Sequence, residues 1–76
     1  MNQPTTDKDQ SIKQAIGFLR SNRPLRAEEV CRNYLNDSPG CIEHLRLLSH
    51  ALMKQDRLSE AEEKLRFAVS LSPKYP

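Results

Sequence analysis

The amino-acid sequence predicts an all-α protein built from four amphipathic helices. Apolar residues recur at spacings of three and four along most of the chain, which is the periodicity of a helix with one buried face. Clusters of Asn, Pro and Gly, such as "SNRP" and "NDSPG", interrupt this pattern where helices are expected to end. No stretch of useful length alternates with a period of two. With 76 residues the chain can form one domain with a thin core.

The first helix is predicted to begin at Asp9, because residues 1–7 are polar, include Pro4 and show no periodicity. We expect those seven residues to form a disordered tail. The helix ends at "SNRP", and its apolar residues are Ile12, Ala15, Ile16, Phe18 and Leu19. The second helix has Pro24 in its first turn, where proline is favoured, and ends at "NDSPG". Its apolar residues are Ala27, Val30, Cys31, Tyr34 and Leu35.

The third helix is predicted to end near Asp56 and the fourth at Pro73, which cannot continue a helix. Apolar residues of the third are Leu45, Leu47, Leu48, Ala51, Leu52 and Met53. Those of the fourth are Leu58, Ala61, Leu65, Phe67, Ala68, Val69 and Leu71. Ser59 followed by Glu62 has the form of a capping box at the start of the fourth helix, and Asp56 is an alternative cap.

Two seventeen-residue segments, "RPLRAEEVCRNYLNDSP" and "RLSEAEEKLRFAVSLSP", repeat each other at an offset of 34 positions. Seven positions are identical, among them an Ala, a Glu–Arg pair at i, i+4 and the closing Pro: Arg23/Arg57, Ala27/Ala61, Glu28/Glu62, Glu29/Glu63, Arg32/Arg66, Ser38/Ser72 and Pro39/Pro73. Each segment covers the second half of a helix–turn–helix unit, so the sequence predicts two such units.

In this period and in the matching positions the chain resembles the tetratricopeptide repeat (TPR) family, with units at residues 8–41 and 42–76. The resemblance implies four antiparallel helices in a short right-handed α-solenoid. It also implies structural roles for ten residues, namely Ala15, Phe18, Ala27 and Pro39 in the first unit, and Leu45, Leu48, Ser49, Leu52, Ala61 and Pro73 in the second.

The first unit departs from the family pattern at four positions. Ser11 and Gln14 stand where large apolar residues are usual, and Tyr34 replaces a small residue. Pro24 stands where an aromatic residue or Leu is common. The packing of the first unit is therefore expected to differ from that of a regular repeat.

The resemblance implies that the first helix of each unit lines a concave surface that binds a partner. Here that surface would consist of Ile12, Ile16, Leu19, Arg20, Arg46, His50, Met53 and Lys54. Its apolar stripe in the first helix is open to three occupants: a helix or extended peptide of a partner, a second copy of the chain, or the chain's own tail or neighbouring repeat. The basic residues favour an acidic, amphipathic partner. The Lys/Asn clamp of chaperone-binding TPR proteins is absent, because Ile12 and Ile16 occupy two of its positions.

Two repeats are fewer than the three or so that a solenoid normally needs. We therefore expect the chain to be the N-terminal part of a longer bacterial TPR protein, or to cover its open end, including Tyr75, with a second copy. The first unit also resembles TPR segments that precede catalytic domains, those of TPR-linked sulfotransferases among them. The alternative function is thus a structural or oligomerising appendage of a larger enzyme, with no ligand of its own.

Other function classes are not favoured by the sequence. Cys31, Cys41 and His44 could supply a nucleophile and a base, but no residue is expected to orient them, so we expect no enzyme activity. Cys31 is instead expected to be a small buried apolar residue. The spacing of His44 and His50 does not suit a metal, and no Gly-rich phosphate loop exists, so no cofactor is expected.

Composition points to a protein that binds neither nucleic acid nor membranes. A net charge of +2 gives weak attraction to phosphates. No apolar run approaches the ~18 residues that would span a bilayer. The first residues lack the apolar segment of a secretory signal, and two cysteines are too few for a disulfide framework, so we expect a cytoplasmic protein.

Overall fold

The computed structural model describes residues 7–72, which form four α-helices and, within that range, no strand. In chain order they are α1 (Lys8–Arg20), α2 (Pro24–Asp37), α3 (Ile42–Lys54) and α4 (Leu58–Ser70). The predicted all-α class is confirmed for this part of the chain. The predicted tail lies outside the described residues except for Asp7, and the predicted stop at Pro73 and the end-facing Tyr75 lie outside them as well.

A side chain caps the start of α1, whereas the N-cap residues of α2, α3 and α4 make no side-chain capping bond. The side chain of Asp7 accepts a hydrogen bond from the backbone N–H of Gln10 at 2.9 Å, so α1 begins at Lys8. The predicted caps of α4, Ser59 and Asp56, are wrong, since the N-cap is Arg57 and it makes no capping bond of its own. Ser59 already lies inside the helix, and Asp56 belongs to the preceding turn.

The turns within the two units have the same backbone geometry, 34 positions apart. Asn22 and Asp56 adopt left-handed φ angles of 61° and 64°. After each of them an arginine N–H bonds back to the carbonyl five residues earlier, from Arg23 to Phe18 at 2.8 Å and from Arg57 to Leu52 at 2.9 Å. This is the Schellman arrangement, in which one left-handed residue ends a helix and reverses the chain. The sequence repeat is therefore also a repeat of backbone structure.

Packing of the helices follows their order along the chain. α2 contacts both α1 and α3, and α3 contacts all three other helices. α4 packs its backbone against α3 and reaches α2 through an ion pair between Arg32 and Glu60 at 3.7 Å. The molecule measures 39 × 30 × 18 Å, so it is about two helix diameters thick. A helix at the end of such an array has a neighbouring helix on one side only, so the apolar residues on its other side stay exposed.

Small and medium apolar residues from all four helices form the core. Seven of the ten residues with predicted structural roles are buried: Ala15, Ala27, Leu45, Leu48, Ser49, Leu52 and Ala61. Phe18 is half-buried and Pro39 is exposed, in the connection between α2 and α3. Cys31 is fully buried, and burial raises the pKa of its thiol to about 12, as expected of a cysteine that acts as an apolar core residue.

Candidate functional site

The eight predicted partner-binding residues lie at equivalent positions of α1 and α3, which contact each other. Each residue of α1 in this set matches one of α3 at an offset of 34, and none of the eight is fully buried: Ile12, Ile16, Leu19, Arg20, Arg46, His50, Met53 and Lys54. We call this set the α1/α3 face. The apolar stripe of α1 is less exposed than predicted, because Ile12 and Leu19 are half-buried.

Charge and apolar surface meet on the α1/α3 face. Ile16 is 39% and Met53 45% exposed, and both are large side chains. Within residues 7–72, the cations Arg20, Arg46 and Lys54 form no ion pair. Their charges are therefore available to a ligand, and an apolar centre with a basic rim suits an acidic amphipathic segment.

A second candidate surface is the side of α4 that faces away from α3. Leu65 is 37% and Val69 67% exposed there. Their equivalents in the first unit, Cys31 and Leu35, are fully and partly buried where α3 packs on α2. The exposed side of α4 is thus equivalent to the side of α2 that α3 covers.

A polar network at the edge of the core joins α2 to the turn before α4. Glu28 is only 8% exposed and accepts hydrogen bonds from Arg32 at 2.8 Å, Gln55 at 2.9 Å and Arg57 at 3.0 Å. Burial alone would raise the pKa of Glu28, but the three donors outweigh it and hold the pKa below its usual value. Arg57 also binds Glu60, so the network fixes the start of α4.

The third candidate is a side-chain cluster around the imidazole of His44, which is fully buried. Nε2 of His44 lies 2.8 Å from the hydroxyl oxygen of Ser11, and Nδ1 lies 3.0 Å from Sγ of Cys41. The ring of Tyr34 stacks on the imidazole with 3.9 Å between ring centroids and an angle of 9° between the planes. A residue of α1, a residue of α2 and the N-cap of α3 therefore all contact the imidazole of one histidine of α3.

This cluster corrects the prediction that nothing orients the cysteine and histidine side chains. Ser11 and Tyr34 orient His44 toward Cys41, and they are two of the four departures from the repeat pattern. A signal was present in the sequence, because a serine at a position that is buried in the other unit needs a hydrogen-bond partner. Cys31, by contrast, takes no part in the cluster.

The electrostatic surroundings of His44 favour the neutral imidazole. Burial lowers the pKa of His44 below its usual value, the carboxylate of Glu43 opposes this shift, and the charge of Lys8 adds to it. Glu43 and Lys8 form an ion pair at 3.2 Å on the exposed side of the cluster. A neutral imidazole has one nitrogen free to accept a proton.

An open depression of about 460 Å³ lies beside the cluster, between the ends of α2 and α4 and the start of α3. Cys41 and Tyr34 line it together with the cations Lys8 and Arg46. Sγ of Cys41 is therefore reachable from solvent, whereas the imidazole behind it is not. The depression is large enough for a small molecule but is not enclosed.

No protein-family model, no curated protein and no solved structure matches the chain. Within residues 7–72, no three His, Cys, Asp or Glu side chains are grouped so that they could hold a metal ion. In the same range, every helix is too short or too polar to cross a membrane. The functional assignment therefore depends on the surfaces and side-chain clusters of this chain itself.

Proposed function

We propose that the chain is a pair of TPR-like units in a short right-handed solenoid and that it acts as a non-enzymatic protein-interaction module. It binds an acidic, amphipathic helix or extended peptide on the α1/α3 face. The observation that carries the proposal is the combination of exposed Ile16 and Met53 with cations that form no ion pair within residues 7–72, on two touching helices. These cations are Arg20, Arg46 and Lys54. A cytoplasmic location fits this function and the two free cysteines.

The repeated backbone geometry supports the assignment to TPR-like units. The left-handed turn residues Asn22 and Asp56 and the buried alanines Ala27 and Ala61 recur at the family's period of 34 residues. Alanine at both positions lets neighbouring helices approach closely. The contact between α1 and α3 joins their exposed residues into one surface.

A displayed library of acidic amphipathic peptides tests the proposal. Peptides selected on the chain are expected to lose at least tenfold in affinity for a double variant with Arg46→Glu and Lys54→Glu, because two attractions become repulsions. Lys13→Glu is the control, since Lys13 is an exposed cation of α1 outside the α1/α3 face. If no peptide is enriched, or if selected peptides bind the double variant as tightly as the wild type, the proposal is wrong.

A second candidate function, an oligomerising appendage of a larger protein, is favoured by the outer side of α4. Leu65 and Val69 expose apolar surface at positions whose equivalents on α2 receive α3. The corresponding side of α1 carries Gln10, Gln14 and Gly17, which are exposed and polar or small. Because α1 offers no apolar match, two copies would associate through α4 of each, around a twofold axis.

Sedimentation equilibrium distinguishes this second function from the first. A wild-type dimer is expected to dissociate when Leu65→Lys and Val69→Lys are combined, because each lysine would have to be buried in the contact. Leu25→Lys is the control, since Leu25 is 65% exposed but lies on α2. A wild-type chain that stays a compact monomer at millimolar concentration excludes the dimer, while the peptide-binding function would still stand.

A further inference from the structure

The cluster around His44 has no part in peptide binding or in self-association, yet it has the arrangement of an activated nucleophile. A thiol lies within hydrogen-bond reach of a base, and the base is oriented by a third group: Cys41, His44 and Ser11 in that order. Such an arrangement is costly for a structural core, because a buried imidazole must keep both nitrogens satisfied. Leucine and alanine occupy the positions equivalent to Ser11 and Tyr34 in the second unit.

We propose that Cys41 is a thiol-modification site that exchanges with small anionic disulfides, with His44 as the proton acceptor. This inference does not depend on the proposed peptide binding, since Cys41 and His44 lie outside the α1/α3 face, and Arg46 is the one residue that the two proposals share. It concerns a stoichiometric modification of one side chain rather than catalytic turnover.

The position of Cys41 at the start of α3 supports a reactive thiol. Cys41 is the N-cap of this helix, but its side chain makes no capping bond to the backbone. At the equivalent N-cap in the first unit, Asp7 does cap α1. The sulfur contacts Nδ1 of His44 instead, and the N-terminal end of a helix favours negative charge such as that of a thiolate.

The surroundings of His44 can accommodate both protonation states that the exchange requires. When Nδ1 is free to accept the proton of Cys41, Nε2 carries the hydrogen of the neutral ring, so Nε2–H can donate to the hydroxyl oxygen of Ser11 both in the neutral imidazole and in the imidazolium. Burial keeps the resting imidazole neutral, and the π electrons of the stacked Tyr34 ring offset part of this effect when the imidazole becomes a cation. The carboxylate of Glu43, 3.6 Å from Sγ, opposes a thiolate, but Lys8 is paired with it and reduces this effect.

The exchange balances without any further oxidant. Cys41 transfers its proton to Nδ1 of His44, and the sulfur attacks one sulfur of the disulfide. The disulfide bond of the reagent breaks, a new S–S bond joins Cys41 to one half of it, and the other half leaves as a thiolate that can take the proton from His44.

The depression beside Cys41 indicates the charge of the preferred reagent. Lys8, Glu43 and Arg46 line it. Glu43 is paired with Lys8 at 3.2 Å, whereas Arg46, within residues 7–72, forms no ion pair, so its charge is available to an anionic group. The volume of about 460 Å³ can hold one half of a small disulfide.

Reaction with two disulfide reagents of different charge tests the proposal. The probes are 5,5′-dithiobis(2-nitrobenzoate), which is anionic, and 4,4′-dithiodipyridine, which is neutral. In the native wild type one thiol per chain is expected to react, and Cys41→Ser should remove this reaction. In a Cys31→Ala chain, Cys41 is expected to react at pH 7 about tenfold faster when folded than when unfolded in guanidinium. An equal or slower rate in the folded chain overturns the proposal.

Three variants then test the named roles, with helical circular dichroism verifying the fold of each. His44→Gln is expected to reduce the native rate with both reagents at least about tenfold, as loss of a base does. Ser11→Ala should reduce the native rate severalfold. This variant is expected to remain folded, so it tests the role of the imidazole even if His44→Gln unfolds. Arg46→Gln should slow only the anionic reagent, whereas the exposed control Arg26→Gln should slow neither. Unchanged rates in folded His44→Gln and Ser11→Ala contradict the role of the imidazole, and an unchanged rate of the anionic reagent with Arg46→Gln contradicts its preference.

Discussion

Asn22 and Asp56 occupy the same place in the turns of the two units, and both have left-handed backbone conformations, with φ angles of 61° and 64°. Asn and Asp tolerate this region better than other residues with a Cβ atom. The two residues lie 34 positions apart, so one conformational requirement is met twice at the period of the sequence repeat. The turn is therefore a part of the fold on which single substitutions should act predictably.

Replacing either turn residue by valine should destabilise the protein by about 1–2 kcal/mol, because a β-branched side chain is strained at positive φ. The same positions changed to glycine should leave the free energy of unfolding unchanged or slightly higher. Urea unfolding of Asn22→Val, Asn22→Gly, Asp56→Val and Asp56→Gly measures these changes. Equal effects of valine and glycine at one position would contradict the left-handed conformation there.

Glu28→Gln should destabilise the protein by roughly 1–3 kcal/mol, because a largely buried carboxylate that accepts three hydrogen bonds is replaced by a neutral amide. The matched control is Glu62→Gln, at the equivalent position of the second unit. Glu62 is exposed and pairs with Arg66 at 2.8 Å, so its substitution should cost no more than about 0.5 kcal/mol. Urea unfolding at neutral pH compares the two variants, and similar losses would refute the importance of the buried network.

The pKa of Glu28 adds a pH dependence to this difference. Since the folded protein holds this pKa below the usual value of 4.5, the stabilisation is complete well above pH 4.5 and is lost as the pH falls through the folded-state pKa. The stability gap between the wild type and Glu28→Gln should therefore narrow in acid. A gap that stays constant down to pH 3 would show that the charge of Glu28 contributes nothing.

Gly17→Ala should stabilise the protein by about 1 kcal/mol. Gly17 lies within α1, where glycine is a poor helix former, and a Cβ atom added there would have no neighbour within 4 Å. Gln14→Ala, on an exposed position of the same helix, should change the stability by only a few tenths of a kcal/mol. Thermal unfolding of both variants decides the matter, and a loss of stability in Gly17→Ala would mean that α1 needs the glycine.

The sequence allowed the helices and the repeat to be predicted because both depend on local patterns. Apolar spacing and the Pro and Asn breaks located four helices, and the offset of 34 identified Ala27 and Ala61 as buried residues. The prediction of a capping box at Ser59 failed because α4 already begins at Leu58, one residue earlier. Its N-cap is Arg57, whose side chain binds Glu60. A cap depends on the conformation of one residue, which composition does not specify.

The cluster around His44 could not be predicted in the same way, because it depends on how the helices rotate against one another. Ser11 and His44 are 33 positions apart in sequence, and their contact requires α1 and α3 to present particular sides to each other. The sequence marked Ser11 and Tyr34 as departures from the repeat but did not show that they share a partner. Only the packed structure relates the two departures to one buried imidazole.

The protein should lose stability as the pH falls below about 6.5, where unfolded histidine takes up a proton. Because burial lowers the pKa of His44 in the folded state, the unfolded chain binds more protons in this range and acid favours unfolding. Glu43, Lys8, Cys41 and Tyr34 are the titratable groups that face His44, and the shift persists in their presence. The stabilisation is complete above pH 6.5, and Glu28 adds its own loss only near and below pH 4.5. Urea unfolding at pH 7.5 and 5.5 should show a drop in the free energy of unfolding at the lower pH. His44→Phe should remove this drop, whereas the control His50→Gln, at an exposed position, should retain it. An identical drop in His44→Phe would mean that another group senses the pH.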